Sequence, residues 1–290
     1  MYTFAEESRH VLAELQKEVG FKFWMVTCLE QDDYVIVSSV GEDFPINDGD
    51  VYFWPDSFCY RMIKGEAPQV APDSDSIQEY REAPLRQVLP IRAFLGVPLK
   101  WSNGKAMGSL CAIDPAPVSE EVCTSLAVVQ DYADKLSKLF EVEVSTVTDQ
   151  RALDYAAIVT STDPETGALL ADDWARWLRF EERDALRHAT SLGVCSIKMP
   201  EAEIVKAAKV IQEIIEFPDV LGRVGKDELG ILLVNCTKDQ LGFSSRSLEL
   251  YLRQHGVQCT VGAYSHNLRH TLAETYCSAQ RNSIRIDGAA

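Results

Sequence analysis

Two spacings of apolar residues run through the first half of the chain and predict a helix followed by strands. Between residues 5 and 19, Val11, Leu12, Leu15 and Val19 recur at the spacing of one helix face, so a helix is expected there. Short apolar runs bounded by polar turns predict strands instead. The predicted strands are 21–29, 34–40, 69–71, 93–101 and 106–113, and a short helix is predicted at 55–64.

In the second half, helical and strand-like segments alternate, and a hairpin is expected around Gly225. Alternation of this kind, with one hairpin, indicates a sheet domain of the α/β or α+β class. The predicted helices are 173–189, 201–216, 244–254 and 271–281, and the predicted strands are 193–198, 229–235 and 258–263.

A long helix is predicted between the halves, beginning after the N-capping residue Ser119. Its apolar residues fall on heptad a and d positions, which fits either a helix lying on its own domain or a two-stranded dimer helix. The polar residues 161–164 then mark a boundary. The predicted organisation is a first domain at 1–143, a linker helix and boundary at 144–162, and a second domain at 163–290. The heptad residues are Leu126, Val129, Ala133, Leu136, Phe140 and Val147.

The composition and charge of the chain argue against several classes of function. The 290-residue chain has a net charge of −16, and 46% of its residues are hydrophobic, which is enough for two cores. An acidic chain without a basic run is a poor binder of nucleic acid or of an anionic membrane surface. No apolar run reaches the ~18 residues of a membrane span, and the N-terminal residues lack the pattern of a signal peptide. A cytoplasmic protein is therefore expected.

The cysteines favour a reducing compartment over a metal site. None of the eight forms a CxxC pair, so the spacing typical of metal sites is absent and reduced thiols are expected. A redox role for an exposed cysteine is the alternative. The eight are Cys28, Cys59, Cys111, Cys123, Cys195, Cys236, Cys259 and Cys277.

Residues 94–99 read Phe-Leu-Gly-Val-Pro-Leu, residues 107–114 read Met-Gly-Ser-Leu-Cys-Ala-Ile-Asp, and residues 56–59 read Asp-Ser-Phe-Cys. These three segments resemble motifs of GAF domains. The resemblance covers about residues 5–143. It implies an antiparallel sheet with flanking helices and a pocket for a small molecule between the sheet and its covering elements. The candidate pocket residues are Tyr52, Phe53, Phe58, Cys59, Tyr80 and Phe94.

The resemblance leaves the pocket's ligand open. GAF domains bind cyclic nucleotides, bilins, haem, small acids or nothing. A Cys-His dipeptide for bilin attachment is missing, and His10 is the only histidine in this half. No cofactor is therefore expected, and the ligand is an unknown small molecule.

Residues 223–229 read Arg-Val-Gly-Lys-Asp-Glu-Leu, and residues 163–168 read Asp-Pro-Glu-Thr-Gly-Ala. These segments are similar to the Arg-Tyr-Gly-Gly-Asp-Glu-Phe hairpin and the Asp-x-Leu-Thr-Gly-Leu segment of GGDEF domains, which are diguanylate cyclases in their active form. The resemblance covers about residues 160–285 and implies a nucleotide-cyclase-like sheet with flanking helices. The family joins two GTP molecules in a dimer of half-sites, using carboxylates that hold metal ions beside the phosphates.

The chain departs from the GGDEF pattern at the positions that carry this chemistry. Lys226 replaces the second hairpin glycine, and Ser196 and Lys198 stand where the first strand should carry two aspartates. The guanine-binding stretch that should follow Pro200 is missing, and Gln280 replaces a phosphate-binding lysine. The resemblance therefore implies a degenerate domain with no catalytic residues and no metal, in which Asp227 and Glu228 are remnants.

The family's product-inhibition site is altered as well. Its Arg-x-x-Asp motif corresponds to Glu216–Asp219, so the arginine that grips guanine and phosphate is a glutamate. Binding of cyclic di-GMP at that site is not expected.

These features predict a non-catalytic signalling regulator rather than an enzyme. GAF sensing of a small molecule would be coupled to a GGDEF-like interaction domain, with a homodimer and a protein partner expected. One alternative is a diguanylate cyclase, or a relative using another nucleotide, whose site is rebuilt around Asp227, Glu228 and Lys198. The other is a pseudo-enzyme that binds a nucleotide without turning it over.

Overall fold

The computed structural model describes residues 3–284, and these divide into two units. The first unit extends to Thr146 and includes Leu186–Ala189, and the second consists of Val147–Ala185 and the residues from Thr190 onward. The helix that leaves the first unit, α5, continues into the second.

The first unit contains an antiparallel six-stranded sheet in the order β3-β2-β1-β6-β5-β4. Its elements are α1 (Phe4–Val19), β1 (Phe23–Glu30), β2 (Asp33–Val40), β3 (Val51–Phe53), α2 (Phe58–Ile63), β4 (Val70–Ala71), α3 (Gln78–Arg81), α4 (Leu85–Val88), β5 (Ala93–Lys100), β6 (Ala106–Asp114) and α5 (Leu126–Ile158).

Side chains alternate across this sheet and build a core on each face. On β1, Trp24 and Val26 belong to one buried cluster, with α1 and α5, whereas Phe23 and Met25 belong to the other, with α2. This alternation follows from the two-residue period of a strand. The central strands β1, β6 and β5 are thus buried on both sides.

Helix α5 packs on its own unit with the residues that had suggested a dimer helix. Val129, Ala133, Leu136 and Phe140 are buried in the first core, beside α1 and β5. The heptad pattern therefore reflects packing within the domain over this stretch.

The second unit contains a five-stranded sheet in the order β11-β8-β10-β9-β7, antiparallel except for the parallel pair β7 and β9. Its elements are β7 (Leu169–Leu170), α6 (Ala171–His188), β8 (Leu192–Lys198), α7 (Ile204–Gln212), β9 (Val220–Arg223), β10 (Glu228–Val234), α8 (Lys238–Gln254), β11 (Thr260–Ser265) and α9 (Leu272–Ile284).

Helices cover both faces of the second sheet. Residues of α7 and α8 share a buried cluster with Ile197 and Ile231. On the other face, a Cβ placed on Gly230 would press on Trp174 of α6 and Tyr276 of α9, so glycine is what lets these aromatic rings pack onto β10.

The predicted class of mixed helices and antiparallel sheets is confirmed. The short elements β3, α3, α4 and β7 were not predicted. Helix α8 begins at Lys238 rather than at 244, because Thr237 and Gln240 form a capping box that starts it earlier. Helix α7 ends at Gln212 rather than at 216. Within residues 3–284, no helix combines the length and apolar character needed to cross a membrane.

Candidate functional site

The hairpin between β9 and β10 places Glu228 inside the second unit. The side chain is buried, and its Oε1 atom accepts three hydrogen bonds from uncharged donors. Ser196 Oγ on β8 donates at 2.8 Å, Tyr276 Oη on α9 at 2.9 Å and Gln280 Nε2 on α9 at 2.7 Å. The Oε1 atom of this carboxylate is thus occupied by protein groups.

Two of these donors, Ser196 and Gln280, stand at positions where the sequence departs from the GGDEF pattern, and the fold brings both to the same oxygen. Tyr276 was not predicted. Its only signal in the sequence is the four-residue spacing from Gln280, which places both side chains on one face of α9. Burial, followed by the nearby Glu228, raises the pKa of Tyr276, so the phenol stays protonated.

Asp227 is separated from Glu228 by the geometry of the hairpin. It is exposed, and its backbone carbonyl accepts a hydrogen bond from the Met199 amide at 3.0 Å. Lys198 is the register partner of Glu228 across the β8–β10 pair, so a cation lies beside the hairpin. Among residues 3–284 no cluster of three or more His, Cys, Asp or Glu side chains suits a metal ion.

A cavity of about 770 Å³ lies on the Asp227 side of the hairpin. Its charged lining consists of Lys198, Glu203, Asp227 and Arg253, and the segment from Gly256 to Thr260 contributes further residues. Arg253 also pairs with Glu249 at 2.5 Å. The space is sufficient for a nucleotide-sized molecule.

Arg223, the first residue of the hairpin motif, ties the hairpin to the segment that opens the domain. Its guanidinium Nη1 donates to Asp163 at 2.7 Å and to Glu165 at 2.9 Å. Asp163 also accepts from Thr166 Oγ1 at 2.6 Å, and Gly167 adopts a positive φ of 67° to complete this turn. These hydrogen bonds lower the pKa of Asp163 even though burial opposes them. The hairpin motif and the segment at 163–168 are therefore held together by the hydrogen bonds of Arg223.

In the first unit, four of the six candidate pocket residues lie together. Phe58 stacks on Tyr80 with ring centroids 4.7 Å apart, and Phe94 lies 5.7 Å from Phe58 and 5.2 Å from Tyr80. Cys59 follows Phe58 on α2 and is buried beside them. The Tyr80 hydroxyl donates to the carbonyl of Pro68.

The other two candidates lie on β3, at the edge of the sheet. Tyr52 is half-buried against the same cluster, whereas Phe53 is 38% exposed. The aromatic cluster, rather than β3, is therefore the centre of this region.

Six of the eight cysteines are buried free thiols, and Cys123 and Cys277 are exposed. Two of the buried ones touch: Cys59 Sγ and Cys111 Sγ are 3.5 Å apart. The Tyr34 hydroxyl contacts both, at 3.3 Å from Cys59 and 3.7 Å from Cys111. Cys59 is one of the candidate pocket residues, but no local pattern in the sequence predicts its contact with Cys111.

Residues 4–138 match the family model of the GAF domain. The matched range contains the antiparallel sheet, the aromatic cluster and both touching thiols. A comparison with curated proteins finds no match to this chain.

Solved structures of both kinds of domain are similar to parts of the chain. The GGDEF domain of DgcB from Caulobacter crescentus in complex with c-di-GMP has 12% identity and a TM-score of 0.39, covering 43% of this chain and 89% of that one. The diguanylate cyclase SiaD from Pseudomonas aeruginosa, in complex with its activator SiaC, has 20% identity and a TM-score of 0.41, with coverages of 57% and 75%.

The GAF domain of an Acinetobacter phosphoenolpyruvate-protein phosphotransferase has 16% identity and a TM-score of 0.39, with coverages of 48% and 82%.

Proposed function

We propose that this chain is a non-catalytic signalling regulator, in which the GAF domain senses a small molecule and a degenerate GGDEF-like domain at 163–290 acts as an interaction surface. The observation that carries the proposal is the environment of Glu228. Its Oε1 is saturated by Ser196, Tyr276 and Gln280, so the groups that would hold metal and phosphate bind one another.

The surroundings of Glu228 weaken the binding of a divalent metal ion. A Mg²⁺ ion needs carboxylate oxygens and water in near-octahedral geometry. A metal ion at Oε1 would have to displace three hydrogen bonds, and the second carboxylate is replaced by a serine. Lys198, in register with Glu228, adds a positive charge beside the position. Each feature weakens metal binding, and phosphoryl transfer depends on that metal.

The interaction role is supported by two exposed apolar residues on α8. Phe243 is 76% exposed and Leu250 is 59% exposed, and their seven-residue spacing places them on one face of the helix. This face offers apolar area that a protein partner would bury. The chain's acidity and lack of a basic run favour a protein partner over nucleic acid or a membrane surface.

A homodimer stays part of the proposal, but it no longer rests on the heptad stripe of α5. That stripe is buried in the GAF core from Val129 to Phe140.

The test is a turnover assay on the full chain with GTP and Mg²⁺ or Mn²⁺, with product detected by mass spectrometry. We expect no cyclic di-GMP above the background of a Glu228→Gln variant, which controls for a contaminating cyclase. Product that is present in the wild type and disappears in the variant would overturn the proposal and establish a rebuilt active site.

A nucleotide-binding pseudo-enzyme is the second candidate, and the cavity beside Asp227 favours it. Lys198 and Arg253 line that cavity and would pair with phosphates. Thermal shift with GTP, ATP and cyclic di-GMP separates the two candidates, because a tight ligand raises the melting temperature by mass action. A shift that is lost in Lys198→Ala but kept in Lys238→Ala, an exposed lysine outside the cavity lining, would support nucleotide binding.

A further inference from the structure

Two thiols from distant parts of the GAF domain meet in its interior. Cys59 lies in the short helix α2 and Cys111 in the central strand β6, 52 residues apart. Their sulfur atoms are 3.5 Å apart, and both side chains are at most 2% exposed.

We propose that Cys59 and Cys111 are a redox modification site, which closes to a disulfide when the GAF domain meets a hydroperoxide and reopens by exchange with a small thiol. This redox chemistry is independent of the proposed function, because it involves neither a nucleotide nor a protein partner.

The geometry requires a small movement. A disulfide has an S–S length of about 2.05 Å, so the sulfur atoms must approach by roughly 1.5 Å. Strand β6 is held on both sides by β1 and β5. Helix α2 is only six residues long and is linked to the sheet by loops, so it is the element expected to shift.

The surroundings favour Cys59 as the attacking sulfur. Hydrogen bonding between the two thiols is the main cause that lowers the pKa of Cys59; burial opposes this shift, and the Tyr34 hydroxyl adds to it. Burial raises the pKa of Cys111, so Cys59 is the more acidic thiol of the pair. Because the thiolate is the nucleophile, the first oxidation falls on Cys59.

The steps balance as follows for hydrogen peroxide. The Cys59 thiolate attacks one peroxide oxygen, the O–O bond breaks, hydroxide leaves, and Cys59 becomes a sulfenic acid. The Cys111 sulfur then attacks the Cys59 sulfur, the S–O bond breaks, and the hydroxyl leaves as water with the proton from Cys111. Two thiols and one peroxide thus give one disulfide and two waters.

Because the two thiols are buried, we expect only a small, uncharged oxidant to reach them. Hydrogen peroxide is small and uncharged, and a local opening of the six-residue α2 would admit it without global unfolding. Closure would pull on Phe58, the neighbour of Cys59, which stacks on Tyr80 at 4.7 Å. The redox state of the pair would therefore reach the aromatic cluster proposed as the ligand site.

The test uses the reduced full chain under native conditions. Protein is treated with hydrogen peroxide, quenched, unfolded and alkylated, and its peptides are mapped by mass spectrometry. We expect a Cys59–Cys111 crosslink that is absent after reduction, while Cys28, equally buried on the opposite face of the sheet, is recovered as an alkylated thiol. Recovery of Cys59 and Cys111 as alkylated thiols at a peroxide dose that oxidises the exposed Cys123 and Cys277 would overturn the proposal.

A variant tests the order of the steps. In Cys111→Ser the sulfenic acid on Cys59 has no resolving thiol, so labelling of Cys59 by dimedone should rise at least about tenfold over the wild type, as expected when the resolving step is lost. Circular dichroism confirms that the variant is folded. Equal labelling of Cys59 in both proteins would show that Cys111 does not resolve it, and would overturn the assignment without reference to the variant's stability.

Discussion

A cluster of three charged side chains shows how burial shifts the pKa of a carboxyl group. Arg151 of α5 pairs with Glu181 at 2.8 Å and with Asp184 at 2.7 Å, both on α6. Glu181 is completely buried, and its second oxygen has no hydrogen-bond partner. Burial outweighs the attraction of Arg151 and raises the pKa of Glu181 to about 7. This carboxyl therefore titrates near neutral pH in the folded chain.

The first prediction is a pH dependence of stability that Glu181 causes. An acid whose pKa is higher in the folded state binds more protons there, so stability falls as the pH rises from its ordinary value of 4.5 towards about 7. In Glu181→Gln this part of the slope should vanish, a change on the order of a few kcal/mol in the free energy of unfolding across that range. Urea denaturation of the full chain at several pH values measures it.

The matched control is Glu213→Gln, which changes an exposed carboxyl of the same unit. It should leave the slope unchanged. An unaltered slope in Glu181→Gln would mean that Arg151 holds the carboxylate ionised throughout.

At the scale of the elements, some glycines let a strand pack closely against a neighbouring strand or helix. Another glycine lies inside a helix without such a neighbour. Gly108 on β6 is required, because a Cβ there would overlap the carbonyl oxygen of Thr27 on β1. Gly262 on β11 is required in the same way by the carbonyl of Ala279 on α9. Gly242 in α8 has no such neighbour, since nothing lies within 4 Å of its Cβ position.

The second prediction contrasts two of these glycines in one unit. Gly242→Ala should stabilise the chain by about 0.5–1 kcal/mol, because alanine is the better helix former and meets no atom. Gly262→Ala should destabilise it by more than about 1 kcal/mol, because backbone must move to admit the Cβ. Thermal unfolding of the full chain measures both. A loss of stability in Gly242→Ala would contradict the open environment of that position.

At the scale of the whole chain, each unit has its own hydrophobic core. Leu136 belongs to the core of the GAF domain and Ile231 to that of the second unit, and both are 1% exposed. A unit with its own core is expected to unfold cooperatively by itself.

The third prediction follows from these separate cores. Leu136→Ala and Ile231→Ala should each destabilise their own unit by about 2–5 kcal/mol, through lost contacts and an unfilled cavity. In calorimetry of the full chain, each variant should lower one unfolding transition and leave the other in place. A common shift of all unfolding in both variants would show that the units unfold as one.

The sequence marked most residues of the candidate site, but it did not predict which of them are buried or which contact one another. The adjacent Asp227 and Glu228 were treated alike as remnants, yet one is exposed and the other is buried under three hydrogen bonds. Adjacent residues in a strand point to opposite sides, and the register decides which side is covered. The role of Tyr276 was missed because no motif marks it.

What the sequence determined by itself is local: the main helices and strands, the hairpin around Gly225, and the motifs of both halves. These follow from periodicity, turn residues and capping, which act over a few neighbouring positions. Only the tertiary structure decided that the α5 stripe is buried, that Ser196 and Gln280 meet at Glu228, and that Cys59 touches Cys111. Such contacts join residues far apart in the chain, so they depend on strand register and helix packing rather than on any local pattern.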